Sequence, residues 1–308
     1  MRRPMSILEL FVESNRDALW EGTAALSGGD SSQHSSSESD VPVAPCTLGS
    51  SDLARYLSGE ALIGDDFKAE EIAQWFADEK EACFEIRGSM DEYPYHARNW
   101  FYGYRKLPRG KFRNVLCFGG GTGVELLPIA DRLGEVTILE ASSNFKAVIQ
   151  ARYATPNVDG SMSFPDDTFD LVTCIGVLHH IPNVSTVIKE LYRCASQGGI
   201  VLITEPITSM GGWMIPRAGL SKHERGIPPQ LFRSFIESAG FEIVSESKCG
   251  FAPINYVARK LHLKPYNSSL LVRLDQVLSA LPFLSAKYHA TTVFEKLRAT
   301  SVFYVLKK

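Results

Sequence analysis

Several broad functional classes are excluded by what this sequence lacks. Nowhere do roughly 20 apolar residues follow one another, the length that a helical membrane span needs. The Met-Arg-Arg start leads into a stretch that Glu9, Glu13 and Asp17 soon break, so no signal peptide is expected. Charge of one sign is also missing. The 32 Lys and Arg against 35 Asp and Glu give a formal net charge of -3, without the basic excess of a dedicated nucleic-acid binder. The six cysteines (Cys46, Cys83, Cys117, Cys174, Cys194, Cys249) are scattered, with no close pair at metal-ligand spacing and no disulfide-dense pattern. Most lie in apolar runs, where a free thiol behaves as a small buried hydrophobe. A reducing cytoplasm is therefore expected, and no metal site. Internal repeats are absent.

What is present suits a soluble globular chain: 308 residues, 44% hydrophobic and 22% charged. Residues 6–26 have the spacing of a short helix, with Leu8, Phe11, Val12 and Leu19 on one side. Serine and acidic residues then dominate to residue 50, too polar to offset the entropy of ordering. Residues 1–50 are thus expected to be a flexible extension whose removal leaves the rest stable. Residues 51–110 are expected to be helical and to cover the site. Ala69–Cys83 spaces Ile72, Trp75, Phe76 and Ala82 for one buried face, and 93–104 is dense in aromatics. From Asn114 on, strand-length apolar runs alternate with helical stretches, as parallel βαβ units do. The strand candidates are NVLCF, EVTILE, FDLVTCIG, GIVLITEP, FEIVSES and a final SVFYVLKK. Between the last two lies an insertion at about 251–298, with Leu270, Leu271, Leu274, Val277, Leu278 and Leu281 at helical spacings.

The strand NVLCF runs straight into GGGTGVE and then a helical stretch. Such a loop lets a ligand approach the backbone and presents free N–H groups. Gly119, Gly121 and Gly123 fit G-x-G-x-G. A dinucleotide fingerprint from Gly119 would need glycine where Val124 stands, and the Gly-Lys-Ser/Thr ending of a P-loop is absent. Glu140 ends the next strand, roughly 20 residues on, where an acid can accept hydrogen bonds from ribose hydroxyls.

VLCFGGGTGVE, SFPDDTFDLVTCIGVLHHIPN and LYRCASQGGIVLITEP occur in order and at suitable spacing. Together they resemble the class I S-adenosylmethionine-dependent methyltransferases over about residues 95–250. The resemblance implies an α/β fold: a Rossmann-like, seven-stranded, mostly parallel sheet with helices on both faces and a reversed last strand. Added to this are an N-terminal helical extension and the late helical insertion of a domain at 111–308. It implies S-adenosylmethionine as cofactor, held by Gly119, Gly121, Gly123, Glu140, Asp159 and Ile175. Two departures stand out. The family often has an acid two residues before the first loop glycine, where this chain has Cys117, and Asp159 is set one residue short for an acid meeting the adenine.

Ligands in open α/β sheets sit at the carboxyl ends of the strands. His179 and His180 follow the fourth strand, Glu205 ends the fifth, and His223 lies on the long loop after it. His179, Glu205 and His223, in that order, are expected to handle an acceptor proton. Trp213, Arg217 and Arg225 on that loop, with Tyr95 and His96 upstream of the first strand, are expected to bind the acceptor. The expected reaction is methyl transfer to a hydroxyl of a glycan precursor or other small molecule, with a polysaccharide flavour in the whole-chain pattern. Transfer to carbon or nitrogen of an aromatic or quinone-like metabolite, or a non-catalytic scaffold, remain as alternatives. Nucleic acid is not an expected partner. Homodimerisation through the late helices stays open. So does contact of Arg259, Lys260, Lys264 and Arg273 with an anionic acceptor or a membrane surface.

Overall fold

A computed structural model describes residues 50–82, 84, 93–211, 213, 217, 219–282 and 284–308. The helix expected at 6–26, the serine-rich stretch behind it and Cys83 lie outside these residues.

Among the described residues, three helices precede the sheet: α1 (Ser50–Ser58), α2 (Ala69–Glu79) and α3 (His96–Tyr102). The sheet strands are β1 (Phe112–Phe118), β2 (Leu133–Leu139), β3 (Arg152–Ala154), β4 (Phe169–Ile175), β5 (Ala195–Pro206), β6 (Glu242–Phe251) and β7 (Ala299–Lys307). A 3-10 segment, Val124–Arg132, links β1 to β2, and α4 (Val184–Cys194) and α5 (Pro229–Ala239) flank β5. The insertion holds α6 (Ala252–Lys260) and α7 (Ser269–Ser279).

The strands order β3-β2-β1-β4-β5-β7-β6. All neighbours run parallel except β7, antiparallel to both β5 and β6. The expected sheet and its reversed last strand are thus present. Pro128 inside Val124–Arg132, with non-helical φ/ψ at Ile129, keeps that connection from becoming an α-helix. β3, an exposed three-residue edge strand, has no apolar run to betray it in the sequence.

Alternation along the strands divides the core in two. Leu116, Phe118, Val172, Cys174, Val201 and Ile203 face one side with Val187, Ile188 and Leu191 of α4 and Phe232 and Ile236 of α5. Val115, Cys117, Leu171, Leu202, Phe303 and Val305 face the other with Tyr102 of α3 and Val272 of α7. A third cluster ties Tyr56 of α1 and Trp75 of α2 to Ile63, Trp213 and Tyr288, so the early helices clamp onto the loop after β5 and the insertion.

α7 differs from expectation in which face it buries. Val272, Asp275 and Ser279 point inward, while Leu270, Leu274 and Val277 are exposed. Asp275 accepts from the Tyr102 hydroxyl at 2.7 Å and from the backbone N–H groups of Gly250 and Phe251 at 3.0 and 2.6 Å. These donors at the β6–α6 corner need a buried acceptor, and that requirement, rather than leucine burial, fixes the helix's rotation.

Candidate functional site

Strand order reverses between β1 and β4, and the crevice at such a switch point is the natural ligand position. Two clefts open there and share Gly119 and Gly176 as a common wall. The smaller, of 130 Å³, is lined by Phe76 and Lys80 of the α2 region and by Leu139, Glu140, Val158, His180 and Ile181. The larger, of 280 Å³, is lined by Tyr93, Tyr95, Arg98, Glu125, Phe145, Ile175, His179, Glu205 and Tyr266.

The glycine loop holds this junction open. Gly119, Gly121 and Gly123 have φ of 61°, 53° and 73°, a region costly for residues with a Cβ. A Cβ on Gly119 would lie 2.3 Å from Val177 Cγ1, so side chain and turn cannot coexist. Glu140 braces the loop. Its Oε2 accepts from the Gly121 N–H at 2.9 Å and its Oε1 from the Ser142 N–H at 3.2 Å. Burial raises its carboxyl above the ordinary range.

A carboxylate that sequence reasoning did not single out lies across the loop. Glu125, 4% exposed, lines the larger cleft. Both hydrogen bonds of its side chain reach one oxygen: Oε1 accepts from Thr173 Oγ1 at 2.8 Å and from Cys117 Sγ at 3.3 Å. Burial pushes its pKa up to about 7. Cys117 itself packs among the core residues beneath the sheet rather than on the cleft wall. A buried acid thus stands at the start of the following 3-10 segment, while β1 carries none. The only signal in the sequence was an acid inside the glycine motif, GGGTGVE.

Arg98 of α3 faces the same cleft. It is 9% exposed, stands 4.1 Å from the Tyr95 ring centroid and 5.4 Å from that of Tyr266, and donates from Nε to Asn99 Oδ1 at 3.3 Å. No carboxylate pairs with it among the described residues, and it lines the larger cleft. It was hidden in the aromatic-dense stretch YPYHARNWFYGY.

His179 is held from behind. Glu205, 1% exposed, accepts at Oε1 from the Val177 and Leu178 N–H groups at 2.8 and 2.7 Å, and at Oε2 from the His179 N–H at 3.3 Å. The same Oε2 lies 2.6 Å from His179 Nδ1, while His179 Nε2 stands 3.6 Å from Glu224 Oε1. Burial, with the neighbouring His180, lowers the His179 pKa. The imidazole is therefore neutral near pH 7, and the bond to Glu205 assigns its proton to Nδ1. That leaves the Nε2 lone pair as an acceptor.

The structure gives most of the other expected site residues internal partners. Glu205 has both oxygens committed, so it positions His179 rather than abstracting a proton. The ring of His223 stacks on Trp75 at 4.3 Å and its Nε2 meets Asp78 Oδ2 at 2.7 Å. Arg225, 0% exposed, donates to the carbonyls of Ile63, Leu178, His179, Ile181 and Pro182 and locks the turn carrying both histidines. Arg217 likewise stitches its own loop through the carbonyls of Met210, Ser221, Lys222 and Glu224. Trp213 is buried against Tyr288 and donates to the Ser209 carbonyl. These ionisable and aromatic groups pin a long loop onto α2, a use their residue types do not distinguish from ligand binding. His96 packs by Tyr93, outside the cleft lining. Asp159 is exposed, its Oδ1 accepting from the Ser161 N–H and hydroxyl. The cleft wall there is formed by Asn157, Val158 and Gly160. Tyr95, Ile175, Gly119 and Gly121 do line the larger cleft, whereas Gly123 lines neither cleft and faces Ile138 and Ile149.

One group among the described residues brings metal-ligand atoms within 4.8 Å of one another: His179, His180 and Glu224. The two imidazoles line different clefts, and each is bonded to a buried carboxylate, His179 to Glu205 and His180 to Glu79 at 2.9 Å.

The family model described as "Methyltransferase domain" matches residues 116–203. The chain is 24% identical over 180 residues to the ubiquinone biosynthesis O-methyltransferase of Azoarcus sp., covering 52% of this chain and 76% of that one. It is 30% identical over 107 residues to the demethylmenaquinone methyltransferase of Bacillus licheniformis, covering 32% of this chain and 46% of that one. Among solved structures, an S-adenosylmethionine dependent methyltransferase from Mesorhizobium loti aligns with a TM-score of 0.45 and 17% identity, over 68% of this chain and 97% of that one.

Proposed function

We propose that this chain, which belongs to the class I S-adenosylmethionine-dependent methyltransferases, places the methyl group on a hydroxyl of a small acceptor that carries a ring. The observation that carries this reading is the Glu205–His179 pair on the wall of the larger cleft, which leaves Nε2 as the nitrogen not bonded to Glu205.

The residues present fit the cofactor. Its nucleoside half needs an acid for the ribose and an apolar slot for the base, and the smaller cleft offers Glu140 with Leu139, Val158 and Ile181. Its amino-acid half is zwitterionic. The larger cleft offers the Glu125 carboxylate for the ammonium and the Arg98 guanidinium for the carboxylate. With Glu125 in that place, Cys117 is no ground for a non-catalytic scaffold. When bound, S-adenosylmethionine supplies an electrophilic methyl group on a sulfonium.

The protein's part is then positioning, water exclusion and proton removal. Tyr93, Tyr95, Phe145 and Tyr266 give the acceptor side faces on which a ring stacks. His179 accepts the acceptor's proton at Nε2. The imidazolium so formed lies between the carboxylates of Glu205 and Glu224 and is stabilised by both.

A sugar ring of a glycan precursor and a phenolic ring satisfy this wall equally. The names of the relatives, which concern ubiquinone and menaquinone, favour the phenolic ring as a second reading and extend it to transfer at ring carbon. The test is incubation with methyl-labelled cofactor and cell extract, followed by identification of the labelled product. An O-methylated ring compound is expected. Label on carbon or nitrogen alone would displace the hydroxyl reading.

A further inference from the structure

The outward rotation of α7 leaves a surface that the site chemistry does not use. Six of the thirteen exposed large apolar residues among the described ones fall within 257–277: Val257, Leu261, Leu263, Leu270, Leu274 and Val277. Leu270 is 76% exposed, Val277 64% and Leu261 61%. A soluble surface rarely gathers its large apolar side chains in this way without something to cover them.

Charge along the same stretch is one-sided. Arg259, Lys260, Lys264 and Arg273 are all exposed. Between Glu246 and Glu295 the chain has a single acidic residue, Asp275, and that one is 2% exposed and spent on internal donors. The basic stretch thus stands out in a chain whose formal net charge is -3. The 3-10 turn joining α6 to α7, Pro265–Asn267, carries Tyr266 of the larger cleft. The leucines and cations therefore bracket the cleft's rim in the chain.

We infer that the α6–α7 face docks on an anionic lipid bilayer, its leucines entering the headgroup boundary and its cations meeting lipid phosphates. Apolar side chains alone would suit a protein partner or a second copy equally. Exposed cations at Arg259, Lys260 and Arg273, in a stretch of sequence whose single acid is buried, are complementary to an anionic surface and repel an identical face on another copy. No helix among the described residues is long and apolar enough to cross a membrane, so the contact is peripheral. Docking of this rim would bring the cleft to acceptors that reside in the bilayer. The docking does not depend on the hydroxyl reading, since vesicle binding and methyl transfer are measured separately.

The test is cosedimentation of the full chain with phosphatidylcholine vesicles, with and without phosphatidylglycerol, at low and high salt. Binding is expected to phosphatidylglycerol vesicles at low salt, falling with salt and by about fivefold for each cation removed in Arg259→Ser and Lys260→Ser. Leu270→Gln with Leu274→Gln should weaken it further. These positions are exposed, so melting temperature and cofactor affinity should stay at the parent values, which guards against misfolding. Absence of binding to phosphatidylglycerol vesicles at low salt would overturn the inference. So would a dimer, seen by light scattering, that the leucine substitutions dissociate while leaving vesicle binding unchanged.

Discussion

Glu205 Oε2 lies 2.6 Å from His179 Nδ1, and the same carboxylate accepts three backbone N–H groups of the turn that carries this histidine. One buried acid thus fixes the turn, the ring's orientation and its tautomer, leaving a single nitrogen for chemistry. Removing the imidazole and removing its holder should therefore have different consequences. His179→Ala should lower kcat on the order of 100-fold for an aliphatic hydroxyl acceptor, with cofactor affinity near normal. Glu205→Ala should lower kcat as well and also destabilise the fold by about 1–3 kcal/mol for each buried N–H left without an acceptor. Melting temperature and turnover of the two variants separate these roles. Equal losses of stability would contradict them.

The lowered pKa of His179 sets the sense of the pH profile. The base form is the neutral one, and it persists below the ordinary histidine value. Turnover should rise with pH through a midpoint under about 6.5 and stay flat above it. Because a buried neutral histidine must charge in acid, folding stability should also decline as pH falls through the ordinary range. His179→Ala should remove the acidic limb from the kcat profile. A limb that survives unchanged would assign the base elsewhere.

Glu125 behaves in the opposite sense. Burial raises its pKa to about 7 in the fold, against about 4.3 for an unstructured chain. The folded apo protein thus holds a proton that the unfolded chain gives up. This contribution to stability is full below the unfolded value and is lost as pH rises through about 7, at most about 4 kcal/mol. Cofactor binding should run the other way, since only the ionised carboxylate pairs with an ammonium. Affinity should strengthen as pH rises through about 7, and Glu125→Gln should flatten both dependences. Calorimetry across that window, with 5′-methylthioadenosine as a ligand lacking the amino-acid end, checks the assignment. Its affinity should be indifferent to both Glu125→Gln and Arg98→Met.

The legible parts of this molecule were those governed by periodicity and by glycine. Apolar runs located five strands because a strand buried on both faces must be apolar throughout, FEIVSES located the largely exposed edge strand β6, and GGGTGVE with Glu140 located the crevice because a tight loop admits little else. β3 escaped, being three residues long and exposed. The loop after β5 misled for a physical reason. Arg225 and Trp213 are types that bind ligands, yet buried backbone carbonyls need donors just as ligands do, and the sequence does not say which need is met. In α7, leucine spacing pointed to a buried face that Asp275 in fact occupies, since satisfying two N–H groups at a corner outweighed burying three apolar side chains.

Arg225 gives the sharpest contrast between these two uses. As an acceptor-binding residue its loss would raise KM and leave the fold alone. As the donor to five carbonyls around the histidine turn, with burial pulling its pKa down to about 10, its loss should unfold that turn. Arg225→Met should cost at least about 3 kcal/mol of stability, as several buried acceptors are orphaned together. Denaturant unfolding measures it. A stable variant with only KM changed would restore the acceptor role.

The last prediction concerns the glycine loop, where the three glycines are not equivalent. An added methyl on Gly119 would lie 2.3 Å from Val177, within the wall common to both clefts, whereas on Gly121 it would meet only the Phe145 ring at 3.5 Å. Both positions have positive φ, so either alanine carries a backbone strain of about 1–2 kcal/mol. The clash separates them. Gly119→Ala must displace Val177 and with it the turn held by Glu205, so cofactor affinity and turnover should both collapse. Gly121→Ala should lose the backbone strain in stability and retain a folded turn, weakening the cofactor chiefly through its contact with Glu140, whose Oε2 the Gly121 N–H holds at 2.9 Å. Glu140→Ala should weaken binding without the strain, because it removes the acceptor and leaves the loop's dihedrals to the glycines. Calorimetry and melting curves for the three variants should therefore rank affinity loss as Gly119→Ala first, but stability loss in Glu140→Ala below that in either glycine variant. Unchanged affinity in both Gly121→Ala and Glu140→Ala would remove the ribose from this corner of the crevice.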